Sequence, residues 1–236
     1  MQPVRAVTFD AGGTLLYPSP SVGAIYSEVM RDHGLRLDAN TLNAAFRRAW
    51  KLAHQTPRVG VSEESERDWW RGLVRETLNG LGEVEDFEKL FDALWHTFAE
   101  PRRWALHDGA METLKGLRER GYRLAVLSNW DQRLRSLLDG MQLSPLVDEV
   151  VISSEVGVEK PDPKIFRITE KRLGFAPGEI LHVGDSPHHD VNGARNVGWR
   201  CVLVTHRKPG GEDAAKEEGE IRSLGELLEK MLPVPM

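Results

Sequence analysis

Five short apolar runs punctuate the chain: VRAVTF (4–9), YRLAVLS (122–128), EVVIS (149–153), EILHVGD (179–185) and WRCVLV (199–204). Runs of this length, rich in β-branched residues and flanked by turn or charged positions, predict strands buried on both faces. Between them, apolar residues recur at three- and four-residue spacing. That pattern predicts helices beginning near Asp108, Gln132, Pro163 and His188, several of them closed by a glycine. Strands that alternate with helices are joined by crossovers, and crossovers predict a parallel sheet covered on both sides. The expected fold is a doubly wound, Rossmann-like α/β domain.

Residues 17–100 break this rhythm, offering four helical patterns and no strand: SVGAIYSEVMRDHG, TLNAAFRRAWKLAH, ESERDWWRGLVRETL and DFEKLFDALWHTF. VRAVTF needs the later strands as partners, so the helical block reads as an insertion that leaves the sheet after its first strand and returns near Pro101. The expected division is a core of residues 1–16 and 101–236 and a helical cap of residues 17–100, a lid beside the carboxyl ends of the strands where open α/β sheets bind ligands. GGEDAAKEEGE (210–220) reads as a solvated loop or short surface helix, and SLGELLEKML as a terminal helix.

Composition narrows the function classes. The 236 residues are 40% hydrophobic and carry 31 basic against 36 acidic side chains, for a formal charge of -5. Such a balance supplies no general cationic field for nucleic acid or an anionic membrane, so an anionic ligand has to be held locally. The single cysteine, Cys201, rules out an internal disulfide framework and reads as a core thiol in a reducing compartment. With no leader-like N-terminus and no membrane-length apolar window, the expectation is a cytoplasmic monomer or homodimer.

All strands of a parallel sheet end on one edge, so polar residues that close different strands become neighbours. Asp10 closes the first run, Ser128 and Asn129 the second, Lys160 follows the third, and Asp185 closes the fourth with Asp190 shortly after. Singly, each has an ordinary structural explanation as an Asx-turn, a helix cap or a solvated lysine. Together, convergent carboxylates, a hydroxyl, an amide and a lysine are what phosphoryl transfer to a carboxylate nucleophile requires, because that chemistry is mainly positioning and charge neutralisation.

DAGGT (10–14), LSN (127–129), Lys160 in EKPDP and GDSPHHD (184–190) resemble, in order and at suitable spacing, the four motifs of the haloacid dehalogenase-like hydrolase superfamily. The insertion after the first motif is similar to that superfamily's helical cap, so the resemblance covers essentially the whole chain. It implies that Asp10 is a nucleophile forming an aspartyl-phosphate, that Ser128 with its neighbour Asn129 and the Gly13 and Thr14 turn binds the phosphoryl group, and that Lys160 offsets charge between nucleophile and phosphate. It also implies Mg²⁺ on Asp10, Asp185, Asp190 and the Gly12 carbonyl, and a small phosphorylated metabolite as substrate. Gly12 and Gly13 suit a backbone that turns sharply beside a ligand.

One departure stands out. Phosphatases of this superfamily carry a second aspartate two positions after the nucleophile as general acid, and here that position is Gly12. Carbon–halogen hydrolysis needs no such proton, so a metal-independent dehalogenase is one alternative. Three gathered carboxylates, which repel one another unless a cation sits among them, rank a metal-dependent phosphatase ahead of it. Phosphonate hydrolysis is a weaker option, since it requires a cap lysine and residues 17–100 offer only Lys51 and Lys89. A binding or regulatory protein without turnover is the remaining alternative. His188 and His189 suit the oxygen-favouring metal less well than the carboxylates. Trp50, Trp69, Trp70, Phe87, Phe91 and Trp95 are expected first as packing of the helical bundle, and Arg58, Arg67 and Arg102 as solvated side chains or cleft residues.

Overall fold

The computed structural model describes residues 3–55, 60–206, 219–231 and 234. Among the described residues there are eight strands: β1 Ala6–Phe9, β2 Leu16–Pro18, β3 Trp104–Leu106, β4 Arg123–Ser128, β5 Glu149–Ile152, β6 Ile180–Gly184, β7 Arg200–Val204 and β8 Glu220–Ile221. The helices are α1 Val22–Asp32, α2 Ala39–Ala53, α3 Glu63–Leu78, α4 Phe87–Thr97, α5 Ala110–Glu119, α6 Arg133–Gly140, α7 Ser153–Val156, α8 Pro163–Leu173, α9 Gly193–Asn196 and α10 Gly225–Lys230.

Six strands form one sheet in the order β5-β4-β1-β6-β7-β8, and every neighbouring pair is parallel. The sequence starts in the middle of this sheet and the order reverses beside β1, which is where a doubly wound sheet opens its binding crevice. Register sets the site: Phe9 lies opposite Val126 on β4 and Val183 on β6. The next residue, Asp10, therefore emerges between two neighbouring strand ends. β1 and Leu124–Leu127 of β4 are wholly buried, which explains why, Thr8 apart, their sequence is apolar rather than alternating. One face packs Ala6, Ala125, Leu127, Val151 and Ile180 against Ile165, Phe166, Ala194, Val197 and Trp199, with half-buried Cys201 alongside. Burial pushes the Cys201 thiol up to about 12, consistent with a packing role.

The chain divides into two compact units, one of Met1–Tyr17 with Leu106–Met236 and one of Pro18–Ala105. The second unit has its own core, in which Tyr26, Met30, Leu42, Val74, Leu90, Phe91 and Leu94 are buried and Trp70, Phe87 and Trp95 pack against them. Each of its helices starts at a polar cap: Ser21, Asp38, Ser62 and Asp86 accept hydrogen bonds from first-turn amides of α1 to α4. Trp50 is 39% exposed and lies against Phe46, His54, Trp69 and Trp70. Arg67 pairs with Asp92 at 2.5 Å and covers Phe91 and Trp95, while Arg102 pairs with Glu100 at 2.8 Å. Arg58 lies outside the described residues, as does most of the 210–220 stretch.

Three elements differ from expectation. β8 is a sixth strand of two residues, paired through Leu203 with Glu220 and Val204 with Ile221; a pairing that short leaves no periodicity to read. Residues 17 and 18 are not helical but finish β2, which pairs with β3 at the two ends of the insertion. The segment expected to be helical from His188 opens instead as a π-helical turn, Pro187–Asn192, before α9. The bonds that Asp190 makes at the site set that turn, and wide turns of this kind are common at functional sites.

Candidate active site

Lys160 is the centre of the rim. Its side chain is 2% exposed, and Nζ donates to Asp10 Oδ1 at 2.7 Å, Asp190 Oδ1 at 2.6 Å and the Leu127 carbonyl at 2.9 Å. All three ammonium protons are thus used, which is what makes a buried lysine tolerable. Burial works against its charge, but the Asp10 and Asp190 carboxylates outweigh that and hold its pKa above the ordinary lysine value.

Asp10 is buried and also accepts from Ser128 Oγ at 2.9 Å. Its pKa is raised by burial and by the negative charge of Asp190, against the pull of Lys160 and Ser128. Asp190 is the opposite case. Burial disfavours its ionisation, yet Lys160 and a bond from His182 hold its carboxyl far below the usual carboxylate range. Asp185 has one edge open to solvent. The protein packed around its carboxyl, followed by the charges of Asp10 and Asp190, pushes its pKa up to about 7.

Oxygens of Asp10, Asp185 and Asp190 all lie within 4.8 Å of one another. Such a donor set fits a hard divalent cation, which would relieve the mutual repulsion expressed in the raised pKa of Asp185. His188 is exposed and His189 lies 3.3 Å from Ser186 Oγ, so neither joins the cluster.

Several expected contacts are rearranged. The Gly13 amide donates to Leu16 O at 2.9 Å and the Thr14 amide to Ala11 O at 3.3 Å, so neither faces a ligand as expected; both close the turn after β1. Gly13 sits at φ 81°, where a Cβ would run into the Asp185 carboxylate, and the Thr14 hydroxyl approaches Asp185 Oδ1 at 3.4 Å. This turn therefore acts on Asp185. The Asn129 side chain turns to the main chain of Lys160: Oδ1 accepts from Lys160 N at 2.7 Å and Nδ2 donates to Lys160 O at 2.9 Å. Gly12 pairs as an isolated bridge with Leu16.

The sequence reading missed His182. It is fully buried in β6, with Nε2 3.0 Å from Asp190 Oδ1 and Nδ1 2.8 Å from the Thr8 hydroxyl. A histidine inside an otherwise apolar strand was the available signal. With the Ser186 amide donating to Asp190 Oδ2 at 2.9 Å, it leaves the Asp190 carboxylate a single orientation.

A six-stranded parallel sheet with a buried lysine gathered among three carboxylates beyond its strand ends makes this a Rossmann-like α/β enzyme. The family model of the haloacid dehalogenase-like hydrolases matches residues 4–198, and the chain belongs to that family. It is 36% identical over 232 residues to the haloacid dehalogenase-like hydrolase domain-containing protein 3 of Mus musculus, covering 95% of this chain and 92% of that one. It is 44% identical over 142 residues to a phosphoserine phosphatase of Thermus thermophilus, covering 57% of this chain and 56% of that protein. Among crystal structures, a phosphatase of this family from Thermococcus onnurineus matches with TM-score 0.64 at 26% identity over 96% of this chain and 97% of that one. A dehalogenase matches with TM-score 0.67 at 26% identity over 98% and 99%.

Proposed function

We propose that the protein is a Mg²⁺-dependent phosphatase acting on a small phosphorylated metabolite, with Asp10 as nucleophile. The observation that carries this reading is the Lys160 ammonium, held between Asp10 and Asp190 at 2.7 and 2.6 Å inside a three-carboxylate cluster. The similarity to a phosphoserine phosphatase and to a phosphatase crystal structure supports the same reaction class.

In this reading an Asp10 oxygen attacks phosphorus as the bond to the leaving oxygen breaks, and water then cleaves the aspartyl-phosphate to release inorganic phosphate. Lys160 neutralises the approach of two anions, and Ser128 holds the nucleophile and then the phosphoryl oxygens. Asp190, fixed by His182 and the Ser186 amide, holds Lys160 in turn. Asp10 and Asp185, with Asp190 and the Gly12 carbonyl, would hold the Mg²⁺, which supplies charge stabilisation for the phosphoryl oxygens when bound. The helical unit serves as the cap.

Hydrolysis of an aryl phosphate, measured with and without Mg²⁺ and with Asp10→Asn, tests the proposal. Activity indifferent to both a chelator and that substitution would overturn it. The empty acid position at Gly12 favours one other reading, a dehalogenase, whose own demand is halide release from a 2-haloacid without metal.

A further inference from the structure

The acid position after the nucleophile is not simply vacant. A Cβ built on Gly12 would stand 2.9 Å from Cζ3 of Trp130, 3.5 Å from Cη2 and 3.8 Å from Cε3, all carbons on the edge of the indole's six-membered ring. The first of these distances is shorter than real Cβ contacts, so an aspartate at this position requires the Trp130 ring to shift. The main chain that carries the indole is fixed: Trp130 N donates to Ser153 Oγ at 3.0 Å, and Trp130 O accepts from Ser153 Oγ at 3.1 Å and from Ser154 N at 3.2 Å.

Three neighbouring groups have their protons or lone pairs committed elsewhere. Asp131, next in the chain and fully buried, accepts from Arg133 Nε and Nη2 at 2.7 Å each, which commits its carboxylate as an acceptor. The Lys160 protons are taken by Asp10, Asp190 and Leu127 O, and the Ser128 hydroxyl proton by Asp10.

Resting on the phosphatase reading, we infer that Trp130 is the specificity-determining residue of this site and selects aryl phosphates. It sets an apolar ring edge against the acid's place, so a leaving group that needs no proton is favoured. The leaving phenolate takes the electron pair of its P–O bond as the bond from Asp10 to phosphorus forms, and is protonated afterwards by water. An alkyl phosphate, whose alkoxide is far more basic, finds no acid at position 12 and reacts slowly. Aromatic contact of the offset or edge-on kind adds binding that a flexible alkyl group does not receive.

The test is kcat/KM with Mg²⁺ for a series of substituted phenyl phosphates ending in phenyl phosphate and a primary alkyl phosphate. Wild-type protein, Gly12→Asp, Trp130→Ala and the double variant Gly12→Asp/Trp130→Ala are compared. Wild-type rates are expected to fall steeply as the leaving group becomes more basic. Trp130→Ala should raise KM for the aryl substrates severalfold and leave KM for the alkyl one unchanged. The double variant should flatten the series and gain about 100-fold on the alkyl phosphate, the size of an acid–base contribution, whereas Gly12→Asp alone gains nothing. A flat wild-type series overturns the inference, as does a single Gly12→Asp variant that matches the double one. The wild-type slope decides even should the variants fail to fold. A wild-type protein that hydrolyses no member of the series sinks the phosphatase reading itself, a result distinct from a flat slope.

Discussion

His182 Nε2 lies 3.0 Å from Asp190 Oδ1, the same oxygen that receives the Lys160 ammonium at 2.6 Å. A histidine from within a core strand thus orients the carboxylate that orients the lysine that faces Asp10, the proposed nucleophile. Outer groups of this kind typically cost 10- to 100-fold in metal affinity or activity when removed, on the order of what is expected here. His182→Ala should therefore lower kcat by about 10- to 100-fold with KM little changed. A wild-type rate in a folded His182→Ala protein would show that Asp190 needs no such support.

Lys160→Ala removes the only ammonium that the rim's described residues place between Asp10 and Asp190. Breaking a buried ion pair from one side typically costs about 3 to 5 kcal/mol, because it leaves uncompensated charge behind. We expect loss of that order in denaturant unfolding together with loss of hydrolysis. Adding Asp190→Asn should recover part of the stability and none of the activity, and the two measurements together check both halves.

Gly13→Ala forces a side chain into a backbone with φ 81° and into the Asp185 carboxylate. The fold should survive, since the strain is confined to one turn, but Asp185 has to move. The expected result is weaker Mg²⁺ binding by calorimetry with near-native circular dichroism; unchanged binding would contradict the coupling of this turn to Asp185.

His107 and His206 stack with ring centroids 3.5 Å apart, and His206 Nε2 meets Thr14 O at 2.8 Å. Burial, and then the neighbouring His206, push the pKa of His107 down to about 4, and burial also lowers that of His206. A histidine with a depressed folded-state pKa is protonated first in the unfolded chain, so the unfolded state binds more protons below the ordinary histidine range. Stability should hold above about pH 6.5 and decline as the pH falls toward about 4. His107→Phe should reduce that decline in melting temperature measured across the interval.

The apolar runs determined most of the fold by themselves. VRAVTF, YRLAVLS and EILHVGD are strands because buried parallel strands need apolar residues on both faces, and that demand is written locally. The four helices of the insertion announce their starts through Ser21, Asp38, Ser62 and Asp86, whose capping is a local bond. The candidate cluster was legible for a similar reason: parallel strands place their ends on one edge, which brings together Asp10, Ser128 and Asp185 at the ends of adjacent strands.

Tertiary structure decided what each of those residues does with its hydrogen bonds. The Asn129 side chain clamps the main chain of Lys160, a choice fixed by a partner 31 positions away. His182 looked like a core residue until Asp190 was beside it. The two-residue β8 exists through its pairing with β7 alone. Above all, the sequence showed a glycine where an acid was expected, and only packing revealed the Trp130 ring in that place. Burial and distance between residues far apart in the chain are collective properties of the folded protein, and no stretch of sequence carries them.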